Sequence, residues 1–294
     1  SEEHTSELQS HHELVCRLLL EQKHYSTTGE TSLRNIQPFF ADLHSGGLSV
    51  AHNGNLTNSK LLASQLFHAE MRHINTDSDS EVLLNIFAHE LAKQREIFPR
   101  PEHFFNAVRK THRRCDGAYA VIALITGFGI LAFRDENAIR PLSLGKRAGK
   151  TRDEYIVASE DAMFQSMDFE KVRDLEPGEA VFIDKDGQLF SQQCSENPIK
   201  RPCIFEYVYF ARPDSKIDEI SVYKARMRMG ISLAKRIKKL DFYKDIDVVI
   251  AIPDSSTTAA LQLASELKLP YRQGFVKNRY IGRTFIMPYQ EERK

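Results

Sequence analysis

The sequence lacks the features that mark several large classes of protein. Its 294 residues hold 40 Lys and Arg against 40 Asp and Glu, so the formal net charge is zero. A balanced charge gives no support for a nucleic-acid or membrane surface as a partner. No apolar run approaches the roughly 20 residues that a membrane helix needs, and the polar, acidic N-terminus is unlike a secretory signal. These absences predict a globular cytoplasmic protein.

Cysteine is also scarce. The four cysteines are Cys16, Cys115, Cys194 and Cys203. They have neither the paired spacing of a metal site nor the density of a disulfide scaffold. The pattern predicts reduced thiols, and it gives no support for an iron–sulfur cluster.

The most informative segment is VAHNGNLTN, residues 50–58. Asn and Gly tolerate positive φ, so the apolar run before Asn53 is predicted to end in a turn, with a helix opening at Thr57 or Asn58. Such a turn could direct the Gly54 N–H and the Asn53 side-chain amide at one point. Two converging donors form an oxyanion hole, which stabilises a tetrahedral intermediate of acyl transfer. The dipeptide by itself is an ordinary turn signal and favours a hairpin or strand-to-helix turn without chemistry.

Two segments resemble class II glutamine amidotransferases, a family with an N-terminal nucleophile. HNGNLTN (residues 52–58) resembles the family's oxyanion segment. INTDSDSE (residues 74–81) resembles its Ser-Asp-Ser/Thr-Glu segment, whose Asp holds the α-amino group of glutamine. The resemblance implies that Asn53 and Gly54 are oxyanion donors and that Asp79 binds glutamine. Position alone also allows Asp79 to be a helix N-cap.

A third segment, YSTTG at residues 25–29, resembles the family's glutamine-binding segment. This resemblance implies that Thr27 helps to hold the substrate carboxylate, although an ordinary turn threonine remains open. His24 stands where the family has Arg. Imidazole cannot clamp a carboxylate with two parallel hydrogen bonds as a guanidinium does.

The C-terminal third resembles the family members that carry a type I phosphoribosyltransferase domain. The evidence is FEYVYFARPDS at 205–215, PDSST at 253–257 and GFVKNRYIGRTFI at 274–286. The middle run resembles a pyrophosphate loop, and the last resembles a lid. The resemblance implies magnesium at Ser255 and these phosphoribosylpyrophosphate ligands: Asp254, Ser255, Ser256, Lys277 and Tyr280. Without the resemblance, residues 253–257 fit a simple helix cap, and residues 274–286 fit a basic edge strand or a nucleic-acid patch.

Both ends depart from the family. Residues 1–24 resemble translated sequencing adapter and are predicted to lie outside the fold. The nucleophilic N-terminal Cys, in a Cys-Gly-Ile run, is absent, and Cys16 lies within the adapter-like segment. No Asp-Asp ribose-phosphate loop occurs between residues 205 and 294. Cys203 lies where some members have an iron–sulfur ligand, but no partner cysteines follow it. We therefore expect a chain truncated at both ends and inactive as it stands.

The predicted fold is an α+β N-terminal-nucleophile αββα sandwich at residues 25–198, followed by a truncated α/β phosphoribosyltransferase domain at residues 199–294. The implied reaction makes 5-phosphoribosylamine from glutamine and phosphoribosylpyrophosphate in purine synthesis. The resemblance further implies purine nucleotide inhibitors and a homo-oligomer, with no nucleic-acid or membrane partner. The alternatives are a non-catalytic remnant or another class II amidotransferase.

Overall fold

The computed structural model describes residues 33–277. Its internal contacts divide this part of the chain into two units, which are residues 33–140 with 175–200, and residues 141–174 with 201–277. Thr27 and Tyr280 lie outside the described residues, as do Cys16 and His24. The predicted domain boundary near residue 198 stays a prediction.

The elements are as follows in chain order. The strands are β1 (Phe39–Leu43), β2 (Gly46–Leu56), β3 (Gly117–Ile125), β4 (Gly129–Arg134), β5 (Ser143–Ala148), β6 (Asp153–Ala158), β7 (Glu170–Asp174), β8 (Glu179–Asp184), β9 (Leu189–Gln193), β10 (Lys216–Ile217), β11 (Ile220–Ser221), β12 (Val249–Ile250) and β13 (Tyr271–Arg272). The α-helices are α1 (Ser59–Glu70), α2 (Asp79–Ala92), α3 (Pro101–His112), α4 (Val222–Ile237) and α5 (Thr257–Leu267).

The first unit is built on one antiparallel sheet in the order β1-β2-β3-β4-β8-β9. Apolar side chains from β2, β3 and β4 form one core with α2 and α3. Phe104 of α3 packs against Phe182 of β8, with ring centroids 4.7 Å apart. Helix α2 is buried along nearly its whole length. A helix that is buried on most of its sides is held firmly by its neighbours. The residues of its first turn, which include Asp79, are therefore held in place.

The Asn-Gly turn predicted at residues 53 and 54 is wrong. Both residues lie inside β2, opposite Ala120 and Tyr119 of β3. The chain leaves the strand only after Leu56, and α1 begins at Ser59 with Asn58 as its N-cap. Nine residue pairs hold β2 to β3, and this long-range pairing overrides the local turn preference.

The second unit contains a three-stranded antiparallel sheet in the order β6-β5-β7. Carboxylates beside that sheet hold the segment that leads into α4. Glu160 accepts hydrogen bonds from the Arg212 N–H at 2.8 Å and the Ser215 hydroxyl at 2.5 Å. Asp174 accepts one from the Asp218 N–H at 2.8 Å. The second unit therefore combines residues 141–174 with residues from 201 onward, while β8 and β9, which lie between them in sequence, belong to the first unit.

The last elements of the second unit form a β-α-β arrangement. Strands β12 and β13 pair in parallel, and α5 lies between them in sequence; an apolar strand followed by a turn and a helix, as at residues 248–267, predicts such a parallel unit. A Cβ on Gly230 of α4 would lie 2.4 Å from the carbonyl oxygen of Ala259 in α5. Glycine is therefore needed where these two helices touch. The assignment of this unit to a phosphoribosyltransferase fold stays a prediction.

Candidate glutamine site on strand β2

One edge of β2 is free of strand partners over its last residues, within the part of the chain that the structure describes. Pairing with β1 stops at Val50. Beyond it, the side chain of Gln37 takes the place of a strand, because its amide accepts from the His52 N–H at 2.5 Å and donates to the His52 carbonyl at 2.9 Å. At the end of the strand the Leu56 N–H donates to Asp79 at 2.8 Å. His52 and Leu56 thus direct their backbone groups to this edge.

The Gly54 N–H lies on the same edge. Backbone groups alternate sides along a strand, so residue 54 shares the direction of residues 52 and 56. The backbone N–H and C=O of Tyr119, the partner of Gly54 in β3, form their hydrogen bonds outside β2. Its N–H donates to Asp135 at 3.2 Å and its carbonyl accepts from Asp135 at 2.8 Å. The pair is therefore of the non-hydrogen-bonded type, and the Gly54 N–H is directed away from β3, as an oxyanion donor requires.

Position 54 has room only for glycine. Its φ is +157°, and a Cβ there would lie 1.9 Å from the carbonyl oxygen of Ala118. Contacts below 3.0 Å are essentially never seen for real Cβ atoms. The glycine is thus explained by the close approach of β3, and the same close approach fixes the direction of the Gly54 N–H.

The side chain of Asn53 is held by Arg140. The guanidinium Nη2 donates to Asn53 Oδ1 at 2.9 Å, across 87 residues of sequence. This contact fixes the carboxamide oxygen toward Arg140, so the Nδ2 end faces away from it. From the sequence alone, residues 135–145 are expected to shape the core and rim of the site and not to take part in the chemistry. No local signal connects Arg140 to Asn53.

Arg140 is itself anchored by the loop that follows β4. The buried carboxylate of Asp135 accepts from the N–H groups of Asn137, Ile139 and Arg140, each at 3.0 Å. Burial raises the pKa of Asp135, against the lowering effect of these hydrogen bonds. Ala138 in this loop has a φ of +50°. A side chain at this positive φ costs about 1 kcal/mol.

Asp79 lies at the start of α2, next to the same edge of β2. It is the first residue of the helix, and the N-cap is Ser78, whose hydroxyl accepts from the Ser80 N–H. The N-cap role that position alone allowed for Asp79 is therefore wrong. Burial raises the pKa of Asp79, and hydrogen bonds from Leu56 and Ser80 lower it. The dipole of α2 stabilises the negative charge of a carboxylate at its N-terminus. Such a carboxylate is a suitable ligand for an ammonium group.

A buried polar group joins Asp79 to β2. His52 Nδ1 lies 3.0 Å from the hydroxyl of Ser80 and 3.9 Å from Asp79. Gln37 also donates to the Ser80 hydroxyl at 3.2 Å. The structure therefore brings together three of the four residues predicted on this site, namely Asn53, Gly54 and Asp79. Thr27, the fourth, lies outside the described residues.

The second predicted site lies in the loop between β12 and α5. Asp254 forms an ion pair with Lys277 at 3.2 Å. The hydroxyl of Ser256, the N-cap of α5, donates to the Ile252 carbonyl at 2.5 Å instead of capping the helix. Ser255 lies beside it, so four of the five predicted ligands share one loop region. Tyr280 lies outside the described residues.

The donor set of this loop suits magnesium that arrives with a phosphate ligand. No group of three or more His, Cys, Asp or Glu side chains able to hold a metal occurs among the described residues. Magnesium commonly keeps several waters and binds through one or two carboxylates plus substrate phosphates. Asp254 and the Ser255 hydroxyl fit that mode, and they do not form a cage of their own. No helix within residues 33–277 is long and apolar enough to cross a membrane.

Comparison with known proteins shows which class of protein, and which family within it, the chain resembles. A protein-family model described as a glutamine amidotransferase domain matches residues 24–166, which include the whole β2 site. Amidophosphoribosyltransferase of Pseudomonas aeruginosa is 54% identical over 270 residues, which cover 92% of this chain and 54% of that protein. The Escherichia coli and Saccharomyces cerevisiae enzymes of the same name are 53% and 49% identical, with 92% of this chain covered and 54% and 53% of theirs.

Solved structures agree with this assignment. The glutamine phosphoribosylpyrophosphate amidotransferase of B. subtilis, complexed with ADP and GMP, aligns with a TM-score of 0.72 at 35% identity, covering 90% of this chain and 54% of that one. By class, residues 24–166 match a glutamine amidotransferase domain. Over 92% of its length the chain is similar to amidophosphoribosyltransferases, and it has the N-terminal-nucleophile fold that the sequence predicted. It spans about half the length of the curated relatives it matches.

Proposed function

We propose that this chain acts in an amidophosphoribosyltransferase, which makes 5-phosphoribosylamine from glutamine and phosphoribosylpyrophosphate at the first step of de novo purine synthesis. The identity of 54% to a relative of that name supports the proposal. The observation that carries it is the free edge of β2, where the Gly54 N–H shares the direction of the Leu56 N–H, which donates to Asp79, and where Arg140 orients the Asn53 amide.

The glutamine reaction follows from these groups. Attack on the substrate carboxamide puts negative charge on its oxygen, and the donors of Asn53 and Gly54 stabilise that charge. Asp79 binds the α-amino group and thereby orients the substrate. The role of Thr27 at the substrate carboxylate is part of the same proposal. The nucleophile in this family is an N-terminal cysteine, activated by its own α-amine.

The phosphoribosyl reaction is proposed for the loop between β12 and α5. Backbone N–H groups at the start of α5 and the hydroxyls of Ser255 and Ser256 suit a pyrophosphate group. Lys277 would exchange its ion pair with Asp254 for a phosphate, and Tyr280 would close over the ligand with it. Magnesium would be held by Ser255 and Asp254, and it would neutralise the leaving pyrophosphate.

Regulation and assembly are proposed on the same basis. The B. subtilis relative is complexed with ADP and GMP, and another similar structure is described as the allosteric regulatory enzyme of purine biosynthesis. We extend to this protein inhibition by purine nucleotides and assembly as a homo-oligomer. Both are proposed for the whole protein, since the chain spans about half the length of the relatives it matches.

The test measures two products with two nitrogen donors. Purified full-length protein is given phosphoribosylpyrophosphate and magnesium with either glutamine or ammonia, and release of glutamate and pyrophosphate is followed. Asn53→Ala should lower glutamine-dependent turnover by roughly 10²–10³-fold, as expected for loss of one oxyanion donor. It should leave ammonia-dependent pyrophosphate release intact, because that reaction bypasses β2.

The matched control is Asn197→Ala, which truncates an asparagine on the surface. It should leave both activities unchanged. No glutamate release from the wild type would overturn the proposed function. Equal loss of glutamine- and ammonia-dependent activity in Asn53→Ala would instead show that Asn53 is needed only for folding.

A further inference from the structure

The strongest unassigned feature of the β2 site is the contact from Arg140 to Asn53. A carboxamide has an acceptor end and a donor end of nearly equal shape. Only the donor end, Nδ2, stabilises a negative oxyanion, while the acceptor end, Oδ1, would repel it. Which end faces the reaction is therefore decisive, and a 180° rotation about the last side-chain bond interchanges the two ends.

Arg140 decides between these two orientations. A guanidinium has only donors, and its Nη2 lies 2.9 Å from Asn53 Oδ1. Rotation of the carboxamide would place the Nδ2 donor against a cationic donor, which is electrostatically unfavourable. The observed orientation also gains a charge-assisted hydrogen bond, which is about twice as strong as a neutral one.

The loop that carries Arg140 is held from both sides of its backbone. The Arg140 N–H donates to Asp135 at 3.0 Å, and the Arg140 carbonyl accepts from Arg134 Nε at 2.6 Å. Arg134 is itself buried and donates to the Ala138 carbonyl at 3.0 Å and the Leu175 carbonyl at 2.7 Å. A guanidinium on so constrained a loop can fix a partner side chain to within the tolerance that catalysis needs.

We propose that Arg140 is a positioning residue, which sets the orientation of the Asn53 carboxamide so that its Nδ2 is directed at the oxyanion. This inference rests on the proposed glutamine reaction. It adds that the direction of the Asn53 dipole is determined from a loop 87 residues away in sequence. In this role Arg140 acts through Asn53 and not on the substrate itself.

The kinetic test separates positioning from substrate binding. In the full-length protein, Arg140→Met removes the donor and keeps an apolar stem of similar length. We expect kcat for glutamine hydrolysis to fall roughly 10–100-fold, as for loss of other groups that orient a catalytic side chain, with KM for glutamine unchanged. Arg140→Lys keeps a donor without an acceptor and should recover part of the loss. The double variant with Asn53→Ala should be no slower than Asn53→Ala alone, because residues that act as a unit are not additive.

A second readout does not depend on activity. The side-chain NH₂ group of Asn53 is identified in ¹⁵N-labelled protein by its loss in Asn53→Ala. It should give two sharp, separate proton signals in the wild type, which shift and broaden in Arg140→Met and return in Arg140→Lys. The control Arg113→Lys alters an exposed arginine that pairs with Glu196 and should leave both signals and kinetics unchanged.

The kinetic and NMR measurements distinguish failure of the positioning role from failure of the proposed function. Unchanged Asn53 signals in Arg140→Met would overturn the positioning role, whatever the kinetics show. A rise in KM with unchanged kcat would also overturn it and assign Arg140 to substrate binding. If the signals respond as expected but the wild type releases no glutamate, the proposed function fails and the orientation of Asn53 by Arg140 stands.

Discussion

Gly54→Ala tests whether the close approach of β3 defines the β2 site. The added Cβ would lie 1.9 Å from the Ala118 carbonyl oxygen and 2.8 Å from the Tyr119 Cα. To reach the 3.0 Å that real contacts keep, β3 would have to recede by about 1 Å, which stretches the neighbouring ladder hydrogen bonds. Overpacking of this kind costs ~1–3 kcal/mol, and each weakened hydrogen bond adds up to ~1 kcal/mol. We expect a loss of about 4 kcal/mol in the free energy of unfolding.

Gly127→Ala is the matched control. Gly127 lies in the turn between β3 and β4 with a φ of +83°, and nothing lies within 4 Å of the position of its Cβ. The control therefore has backbone strain without a clash, which costs about 1 kcal/mol. Urea unfolding of both variants, followed by far-UV circular dichroism and fluorescence, gives the two free energies. Losses equal within ~0.5 kcal/mol, the typical error of such comparisons, would refute the clash between β2 and β3.

Two further predictions concern buried polar groups. Burial lowers the pKa of His112 from 6.5 to about 4, so between these values the unfolded state binds a proton that the folded state does not. Stability should therefore fall as the pH drops from 6.5 to about 4, by about 3 kcal/mol for 2.5 pKa units. Urea unfolding at several pH values in this range should show that His112→Gln removes this dependence of the unfolding free energy on pH. The control His68→Gln, which changes an exposed histidine, should keep it. The same pH dependence in both variants would show that His112 is not the cause. Glu81 accepts from the N–H groups of Asn75 at 2.9 Å and Thr76 at 2.7 Å and from the Thr76 hydroxyl at 2.7 Å. Glu81→Gln should lower the unfolding free energy by ~2 kcal/mol, because one acceptor oxygen is replaced by a donor that faces donors, and a change below ~0.5 kcal/mol would contradict this account.

Elements with strong local signals were predictable. Apolar residues recur at helical spacing over residues 80–93, which predicts a helix there, and α2 spans Asp79–Ala92. Asp186–Gly187 is a hairpin turn signal, and the register of β8 with β9 confirms the hairpin. The strand–turn–helix order predicts a helix from about Thr257, where α5 begins. These elements follow from spacing and turn chemistry within a few residues, which a sequence displays directly.

The sequence supplied the candidate members of the site but not their geometry. Asn53 and Gly54 were expected in a turn because Asn-Gly is a strong local turn signal, but Ala120 and Tyr119 of β3 hold them in a strand. The contact of Arg140 with Asn53 could not be found by spacing, since it joins a loop after β4 to β2. Ser78, rather than Asp79, caps α2, and two adjacent polar residues before a helix do not reveal which of them is the cap.

The pairing of β2 with β3 also has a consequence for the allowed variation of this family. Side chains and backbone groups both alternate along a strand, so a slip of one residue would turn the N–H of position 54 toward β3 and carry the amide of position 53 to the other face of the sheet. A single insertion or deletion in β2, or in the first half of β3, would thus remove the Gly54 N–H and the Asn53 amide from the site even if the sheet still formed. We expect natural length changes to collect in the turns around Gly127 and Gly187, where the ladder ends.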